Sequence, residues 1–160
     1  FDGYGIGGLS VGESRAEMVP AIEATTTALP ADRPRYVMGL GDAAGMVEAV
    51  ALGVDLFDCV LPSRIARHAS ALTDAGRINL RNARFASDDS PLDEGCPCPV
   101  CARHSKAFLR HLFAVGEPTA LRLATVHNLS WTVRLVERMR EAIVAGRFAA
   151  LRDEVLAAWA

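Results

Sequence analysis

The segment G-V-D-L-F-D-C-V-L-P-S-R, residues 53–64, places two aspartates inside an otherwise apolar run. Residues 54–61 are rich in Val, Leu and Phe and are followed by Pro62, which predicts a strand that ends at the proline. Burying an ionised carboxylate without a partner is costly, so each aspartate needs a reason to be there. Side chains alternate between the two faces of a strand, so Asp55 and Asp58 are expected to point in opposite directions.

Two strands and two helices are predicted before this segment. Residues 4–9 (Y-G-I-G-G-L) and 35–41 (R-Y-V-M-G-L-G) each predict a short apolar strand that ends in glycines. Ser14 and Glu17 form a capping box, which predicts a helix from near Arg15. Pro20 predicts a kink in that helix or a later start.

The second helix is predicted to begin after Asp42, a favourable N-cap, and to run through Leu52 to a stop at Gly53. Strands that alternate with helices of about a dozen residues indicate βαβ units and a parallel sheet. Three parallel strands cannot close a barrel or bury both faces of a sheet. Since the sequence also begins at Phe1 rather than at Met, we expect a piece of a longer α/β protein.

After Pro62 the pattern changes. Residues 70–85 hold a D-A-G turn between two candidate strands, which predicts an antiparallel hairpin. Helices are predicted at about 103–114 and 130–145, with a last helix from about Phe148.

The charge is uneven although the net charge is only −2. Five arginines between residues 61 and 85 face a single acid, and four acids follow between residues 88 and 94. The arginines are Arg64, Arg67, Arg77, Arg81 and Arg84. This distribution suggests an anionic ligand, while the alternative is a solvated hairpin with polar outer faces.

The sequence gives no support for a membrane association. It has no run of 18 uncharged apolar residues and no basic-then-apolar leader pattern. Neither a membrane span nor a cleaved leader is therefore expected.

Three cysteines, Cys96, Cys98 and Cys101, lie within six residues in a C-x-C-x-x-C pattern. Cysteines this close pair only with strain, whereas three thiolates can surround one tetrahedral zinc ion with a fourth ligand from elsewhere. From spacing alone, His104, His111 and His127 all remain candidates for that ligand. A Cys₃His site leaves no open position, so the zinc would be structural. The alternative for these three cysteines is a loop of reduced, reactive thiols. The fourth cysteine, Cys59, lies in the predicted third strand and is interpreted as a small hydrophobic residue.

Residues 3–8 (G-Y-G-I-G-G) match the letters of a dinucleotide-binding motif without its context. The motif requires a preceding strand and an immediate helix, and here the helix starts only near Arg15. Gly7 and Gly8 are better explained by close approach of the backbone to a flat ligand.

Seven ordered motifs together resemble the C-terminal half of tRNA-guanine transglycosylase. They are residues 7–13 (GGLSVGE), 34–41 (PRYVMGLG), 53–64 (GVDLFDCVLPSR), 81–85 (RNARF), 90–93 (SPLD), 96–101 (CPCPVC) and 126–128 (VHN). The resemblance implies the last three βα units of a TIM (β/α)8 barrel, with an inserted zinc-binding subdomain. It implies a cytoplasmic enzyme, in bacteria a homodimer, that exchanges guanine at the wobble position of tRNA for the queuosine precursor preQ1.

By this resemblance the domains are residues 1–62 for the barrel, 63–128 for the RNA-contacting hairpin and zinc region, and 129–160 for C-terminal helices. The family's nucleophilic aspartate falls on Asp58, which is also the aspartate nearer the C-terminal end of its predicted strand, where TIM-barrel sites lie. Asp55 is then a hydrogen-bonded structural carboxylate. The residues that match the family's base pocket are Gly7, Gly8, Leu9, Glu13 and Met38.

The resemblance also assigns RNA contacts and metal ligands. The first RNA segment is Gly39, Leu40, Gly41, Asp42, Ala43, Ala44 and Gly45. The second is Ser63, Arg64, Ile65, Ala66 and Arg67. The zinc ligands are Cys96, Cys98, Cys101 and His127, so here the resemblance selects His127 among the three histidines.

Some positions depart from the family pattern. Ser63 stands where Thr is usual, and Asn and Gly are usual near Ile65 and Ala69. The family's general acid/base aspartate would lie upstream of Phe1, so this chain alone is not expected to be a complete enzyme. Val11 matches the valine of bacterial members and favours preQ1 over queuine.

Three other functions are weighed against this one. A non-catalytic zinc-stapled tRNA-binding module would not require Asp58 in its flanking motif. An archaeosine-type transglycosylase is disfavoured by Val11 and by the absence of an RNA-binding extension after Ala160. A purely structural zinc domain would leave the glycine motif and Asp58 unexplained.

Overall fold

The computed structural model describes residues 1–9 and 12–159. Val11, which bears on the choice between preQ1 and queuine, lies outside the described residues. The chain forms two compact units, one of residues 1–60 with 142–158 and one of residues 61–141 with Trp159. Helices and strands are mixed, and no helix among the described residues is long and apolar enough to span a bilayer.

The first unit contains a three-stranded parallel sheet in the order β1 (Tyr4–Ile6), β2 (Arg35–Val37), β3 (Leu56–Phe57). Between the strands run the helices α1 (Arg15–Ala28) and α2 (Ala43–Ala51). The predicted parallel βαβ order is therefore confirmed.

The local signals for both helices are also confirmed. The capping box of Ser14 and Glu17 is formed, with the Glu17 carboxylate 2.8 Å from the Ser14 amide. Helix α1 begins at Arg15 and contains Pro20, so the predicted later start is wrong. Asp42 Oδ1 accepts the Gly45 amide proton at 2.7 Å at the start of α2.

The core of this unit lies between the sheet and the two helices. It is built from apolar side chains of both layers: Ile6, Met18, Ile22, Val37, Leu40, Ala49 and Val54. These contacts fix where each strand ends, and therefore where the loops after the strands lie.

The strand predicted at residues 54–61 is too long. Strand β3 is Leu56–Phe57, and Leu61 already begins a helix, α3 (Leu61–Ala66), that contains Pro62. Proline is tolerated in the first turn of a helix because its missing N–H would have no partner there. Asp58 consequently lies in the loop after β3, and the segment is not the buried strand that its composition suggested.

The second unit contains the predicted hairpin, β4 (Ser70–Thr73) and β5 (Gly76–Asn79), paired antiparallel. A single 3-10 turn follows at Ala83–Phe85, then α4 (Lys106–Ala114) and α5 (Thr119–Val144). Helix α6 (Phe148–Trp159) begins where predicted and ends the described chain, and all of it except Trp159 belongs to the first unit. Buried apolar residues of the hairpin, the cysteine loop, α4 and α5 form one core.

Helix α5 begins eleven residues before the predicted start at about residue 130. His127 therefore lies inside a helix, whereas the sequence suggested a loop histidine folding back. Pro118, directly before Thr119, is the signal that marks this start, because proline favours the first turn of a helix.

Candidate active site and candidate metal centre

Asp58 is held at the carboxyl edge of the parallel sheet by two hydrogen bonds. The Tyr36 hydroxyl donates to Asp58 Oδ1 at 2.6 Å, and the Gly39 amide donates to the same oxygen at 2.9 Å. Tyr36 pairs with Leu56 in the β2–β3 register, which brings its ring beside the loop that follows β3. The two donors lie on β2 and the loop after it, so the fold itself fixes the carboxylate.

These hydrogen bonds favour the ionised form of Asp58. The Tyr36 hydroxyl, and then the Gly39 amide, hold the pKa of Asp58 below its ordinary value because both favour the charged form. The neighbouring carboxylate raises the pKa of Tyr36 in turn. The side chain of Asp58 is exposed, so an ionised oxygen is accessible from solvent.

Asp55 has a different environment. Its Oδ2 accepts the backbone N–H of Arg35 at 2.9 Å, and its own amide donates to the Arg35 carbonyl at 2.9 Å. Arg35 opens β2, whereas Gly39 follows that strand, so the two carboxylates bind opposite ends of β2. The hydrogen bonding predicted for Asp55 is confirmed, and its structural role stays a prediction.

The residues assigned to the base pocket lie at the same edge of the sheet. Gly7, Gly8 and Leu9 follow β1, and Met38 follows β2. A Cβ placed on Gly7 would lie 3.7 Å from Met38 Cε, so these two loops are in contact. Met38 is 47% exposed, which leaves an apolar surface available beside the glycines.

A cavity of about 260 Å³ lies beside these loops. Its lining combines Leu9 and Glu13 with Gly39, the residue whose amide holds Asp58. Asp42 and Gly45 line it as well, whereas Ala43 and Ala44 of the same segment are buried within α2. Leu9, Glu13 and the loop after β2 therefore share one concave surface.

The loop after β2 requires glycine at two positions. Gly39 has φ +77°, a backbone conformation that favours glycine and that aims its amide at Asp58. Gly41 is buried against Cys59, and an added Cβ would lie 2.7 Å from Cys59 Sγ and closer still to its Cβ.

Gly41→Ala is therefore expected to lower the free energy of unfolding by about 2 kcal/mol, because the new methyl group overpacks the contact with Cys59. Thermal or denaturant unfolding measures the change. Gly7→Ala is the matched control, since its Cβ would meet Met38 at an ordinary 3.7 Å. Equal stabilities of the two variants would contradict the close packing.

The second predicted RNA segment lies in the second unit, on α3 and the residue after it. Ser63 is half-buried, Ile65 and Ala66 are buried, and Arg64 and Arg67 are exposed. The two arginine side chains are therefore the members of this segment that are most exposed to solvent.

Cys96, Cys98, Cys101 and His127 form a cluster whose donor atoms all lie within 4.8 Å of one another. His127 Nδ1 lies 4.0, 3.5 and 3.3 Å from the sulfurs of Cys96, Cys98 and Cys101. Tetrahedral zinc with ordinary Zn–S and Zn–N bonds would separate such atoms by about 3.6 Å. The donor set and its spacing fit zinc.

The other candidate histidines are outside this cluster. The His104 ring stacks on Phe108 at 5.0 Å, and His111 is exposed on α4. The ligand set Cys96, Cys98, Cys101 and His127 is thus brought together as the resemblance implied.

Hydrogen bonds around the cysteine–histidine cluster orient the side chains that would bind the metal. His127 Nε2 donates to the Leu72 carbonyl at 2.7 Å, which leaves the Nδ1 lone pair directed at the thiols. The Cys101 amide donates to Cys98 Sγ at 3.3 Å. Burial raises the pKa of Cys101 to about 12 when no cation is present, so a bound cation is what would favour its thiolate.

Asn128 binds the neighbouring strand from the same turn of α5. Its Oδ1 accepts the Leu72 amide at 2.9 Å, and its Nδ2 donates to the carbonyls of Pro62 and Ser70, both at 3.0 Å. His127 and Asn128 together satisfy both backbone groups of Leu72, which attaches β4 to α5.

Asn128→Ala is expected to destabilise the second unit by about 3 kcal/mol, because it leaves buried backbone groups without partners. Denaturant unfolding measures this. Asn79→Ala provides the comparison, since Asn79 is exposed and its Oδ1 accepts only the nearby Arg81 amide among the hydrogen bonds described. A loss no greater than that of Asn79→Ala would show that Asn128 does not hold the strand.

An ionic network joins the cysteine loop to α5. Arg134 contacts Asp93 at 2.5 Å and Asp74 at 3.0 Å, and it donates to the Gly95 carbonyl at 3.3 Å. Trp131 Nε1 also donates to Asp74, at 2.9 Å. The hairpin turn, the start of the cysteine loop and α5 are therefore linked around the metal cluster.

Tyr36 is the site residue that sequence reasoning missed. It lies 22 positions before Asp58, and no motif spacing connects a strand tyrosine with a loop aspartate. Only the register of β2 against β3 places them together, and that register depends on non-local packing.

Comparisons with known proteins agree with these motifs. Residues 1–160 match the sequence model of the family described as Queuine tRNA-ribosyltransferase. A protein of that name from Clostridium acetobutylicum is 50% identical over 100% of this chain and 43% of its own length. Proteins of the same name from Solidesulfovibrio magneticus and Symbiobacterium thermophilum are each 50% identical, over 97% and 99% of this chain. The chain covers 42% and 40% of those two proteins, so it spans about two fifths of the length of its relatives. The chain belongs to the Queuine tRNA-ribosyltransferase family.

Proposed function

We propose that the full-length protein is a tRNA-guanine transglycosylase, a pentosyltransferase that exchanges guanine at the wobble position of tRNA for preQ1. The observation that carries this proposal is the exposed Asp58 carboxylate, held by the Tyr36 hydroxyl and by the Gly39 amide in the loop next to Met38. The family match and the names of its relatives, tRNA-ribosyltransferases, support the same reaction.

A carboxylate suits a reaction that replaces a base without cutting the RNA backbone. It stabilises an oxocarbenium-like transition state and captures C1′ of the ribose as a covalent intermediate. The incoming base then attacks the same carbon and releases the carboxylate. In this proposal Asp58 is the nucleophile, and the general acid/base comes from the part of the protein outside this chain.

The base is proposed to bind between the first two loops of the sheet edge. Gly7, Gly8 and Leu9 offer backbone groups, Met38 packs against the flat ring, and Glu13 supports the pocket. The cavity lined by Leu9 and Glu13, and the exposed Met38 side chain beside Gly7, support this assignment. The guanine must leave the anticodon stack to reach them, as in other enzymes that act on a nucleobase.

The RNA is proposed to be held by residues 39–45 and 63–67. Exposed Arg64 and Arg67 follow Asp58 closely in the chain and would contact phosphates. Buried Ala43, Ala44, Ile65 and Ala66 would contribute through the backbone they position rather than through their side chains.

The larger architecture belongs to the same proposal. Residues 1–62 would be the last three βα units of a TIM barrel, 63–128 an inserted RNA-contacting and zinc-binding subdomain, and 129–160 C-terminal helices. Structural zinc held by Cys96, Cys98, Cys101 and His127 would fasten the cysteine loop to α5. The full-length protein is proposed to act in the cytoplasm as a homodimer, in keeping with the family resemblance.

A base-exchange assay with the full-length protein tests this function. Labelled guanine should enter unmodified tRNA carrying a wobble guanine, and preQ1 should replace guanine in the same tRNA. Binding of tRNA without any exchange would instead identify a non-catalytic RNA-binding member of the family.

A further inference from the structure

The two hydrogen bonds to Asp58 end on one oxygen. Tyr36 and Gly39 both donate to Oδ1, at 2.6 and 2.9 Å, and the second oxygen, Oδ2, receives neither bond. The carboxylate is therefore presented asymmetrically, with one oxygen anchored to β2 and its loop and the other directed away from these donors.

We infer that Tyr36 is a positioning residue for the transfer, which holds Oδ1 so that Oδ2 bonds to the ribose and which stabilises the carboxylate whenever it is released. This inference rests on the proposed function, because it assumes that Asp58 is the nucleophile. The second donor is the backbone amide of Gly39, and a side-chain substitution cannot remove this amide.

The bonds balance in both half-reactions. In the first, the Oδ2–C1′ bond forms while the C1′–N9 bond breaks, and its electron pair leaves with the guanine, which takes a proton from the general acid. In the second, N9 of the incoming base, its proton removed by the general base, bonds to C1′. The Oδ2–C1′ pair then returns to the carboxylate.

The charge on Oδ1 changes during this cycle. In the free enzyme Oδ1 belongs to an anion, whereas in the covalent adduct it is the carbonyl oxygen of a neutral ester. A hydrogen bond to a charged acceptor is stronger than one to a neutral acceptor. The Tyr36 hydroxyl therefore favours the free carboxylate over the adduct, and its loss shifts the internal equilibrium towards the adduct.

The test uses the full-length protein with tRNA and a fixed concentration of free guanine. Samples at equilibrium are denatured, and the fraction of protein linked to RNA is measured on a denaturing gel. Tyr36→Phe is expected to raise the equilibrium constant for adduct formation by about tenfold, which is the difference in strength between a hydrogen bond to a charged oxygen and one to a neutral oxygen. Tyr4→Phe is the matched control, because Tyr4 is the other tyrosine of this chain and is expected to leave the constant unchanged.

A pH profile gives a second readout that a purely structural role would not move. The Tyr36 hydroxyl is the largest cause that lowers the pKa of Asp58, so Tyr36→Phe raises this pKa. The acid limb of the rate of adduct formation is then expected to move to higher pH. The backbone amides that also lower this pKa are unchanged in the variant.

Replacement of Tyr36 by 3-fluorotyrosine keeps the ring and strengthens the donor, so the adduct fraction should fall instead of rising. If Tyr36→Phe does not fold, the 3-fluorotyrosine variant still tests whether the Tyr36 hydroxyl sets the adduct equilibrium. An unchanged equilibrium constant in a folded Tyr36 variant, with wild-type adduct present, would overturn the role of Tyr36 alone. Absence of adduct in the wild-type protein would overturn the proposed function itself.

Discussion

Asp58→Asn in the full-length protein is expected to abolish the covalent RNA adduct and to slow base exchange by about four orders of magnitude, as loss of a nucleophile does in other enzymes. The change is nearly isosteric. The amide oxygen can still accept from Tyr36 and Gly39, so the loop after β3 should keep its conformation. What is lost is the anionic oxygen that captures C1′.

Two measurements check this result. A denaturing gel with labelled tRNA detects the adduct, and incorporation of labelled guanine measures exchange. Asp55→Asn is the matched control: Asp55 is exposed and binds the Arg35 backbone at the opposite end of β2. It should retain the adduct. An adduct that persists in Asp58→Asn, or disappears equally in both variants, would show that Asp58 is not the nucleophile.

The parts of the fold that depend on local chemistry were predictable from the sequence. The capping box at Ser14 and the Asp42 cap each act within one helical turn, and both helices begin where these residues indicate. The hairpin of β4 and β5 was equally visible, because its turn residues lie between two short apolar segments.

The predicted bounds of β3 and α5 are wrong at residues that are compatible with more than one type of secondary structure. Pro62 can end a strand or occupy the first turn of a helix, and only the second applies here. Apolar composition alone extended the third strand beyond Phe57 into the loop that carries Asp58. The predicted start of α5 is too late, because Pro118 introduces this helix directly before Thr119.

In the candidate sites, too, some residues are predictable from the sequence and others depend on non-local packing. The cysteine spacing predicted a metal centre, but it left three histidines open, since the choice depends on a helix that packs on β4 through Leu72. Likewise, the sequence singled out Asp58 but not Tyr36. The hydrogen-bond partner of a side chain in the loop after β3 is set by the register of β2 against β3, which no local pattern encodes.

Cys98→Ala is expected to remove zinc from the chain, lowering its content from about one ion per chain to a small fraction of that. Cys98 is 4% exposed, and its sulfur lies 3.5 Å from His127 Nδ1 and accepts the Cys101 amide. Structural zinc contributes about 10 kcal/mol or more to the folding of small zinc sites. Loss of the ion should therefore unfold the cysteine loop and weaken its attachment to β4 and α5.

Metal analysis of purified protein measures the zinc content, and thermal unfolding with and without a chelator measures the stability. Cys59→Ala is the matched control, because Cys59 is the one cysteine of the four outside the cluster. It should keep full zinc content and the chelator sensitivity of the wild type. Full zinc occupancy in Cys98→Ala would mean that the ligand set is wrong. Equal loss in both variants would mean that the metal depends on overall folding rather than on this sulfur.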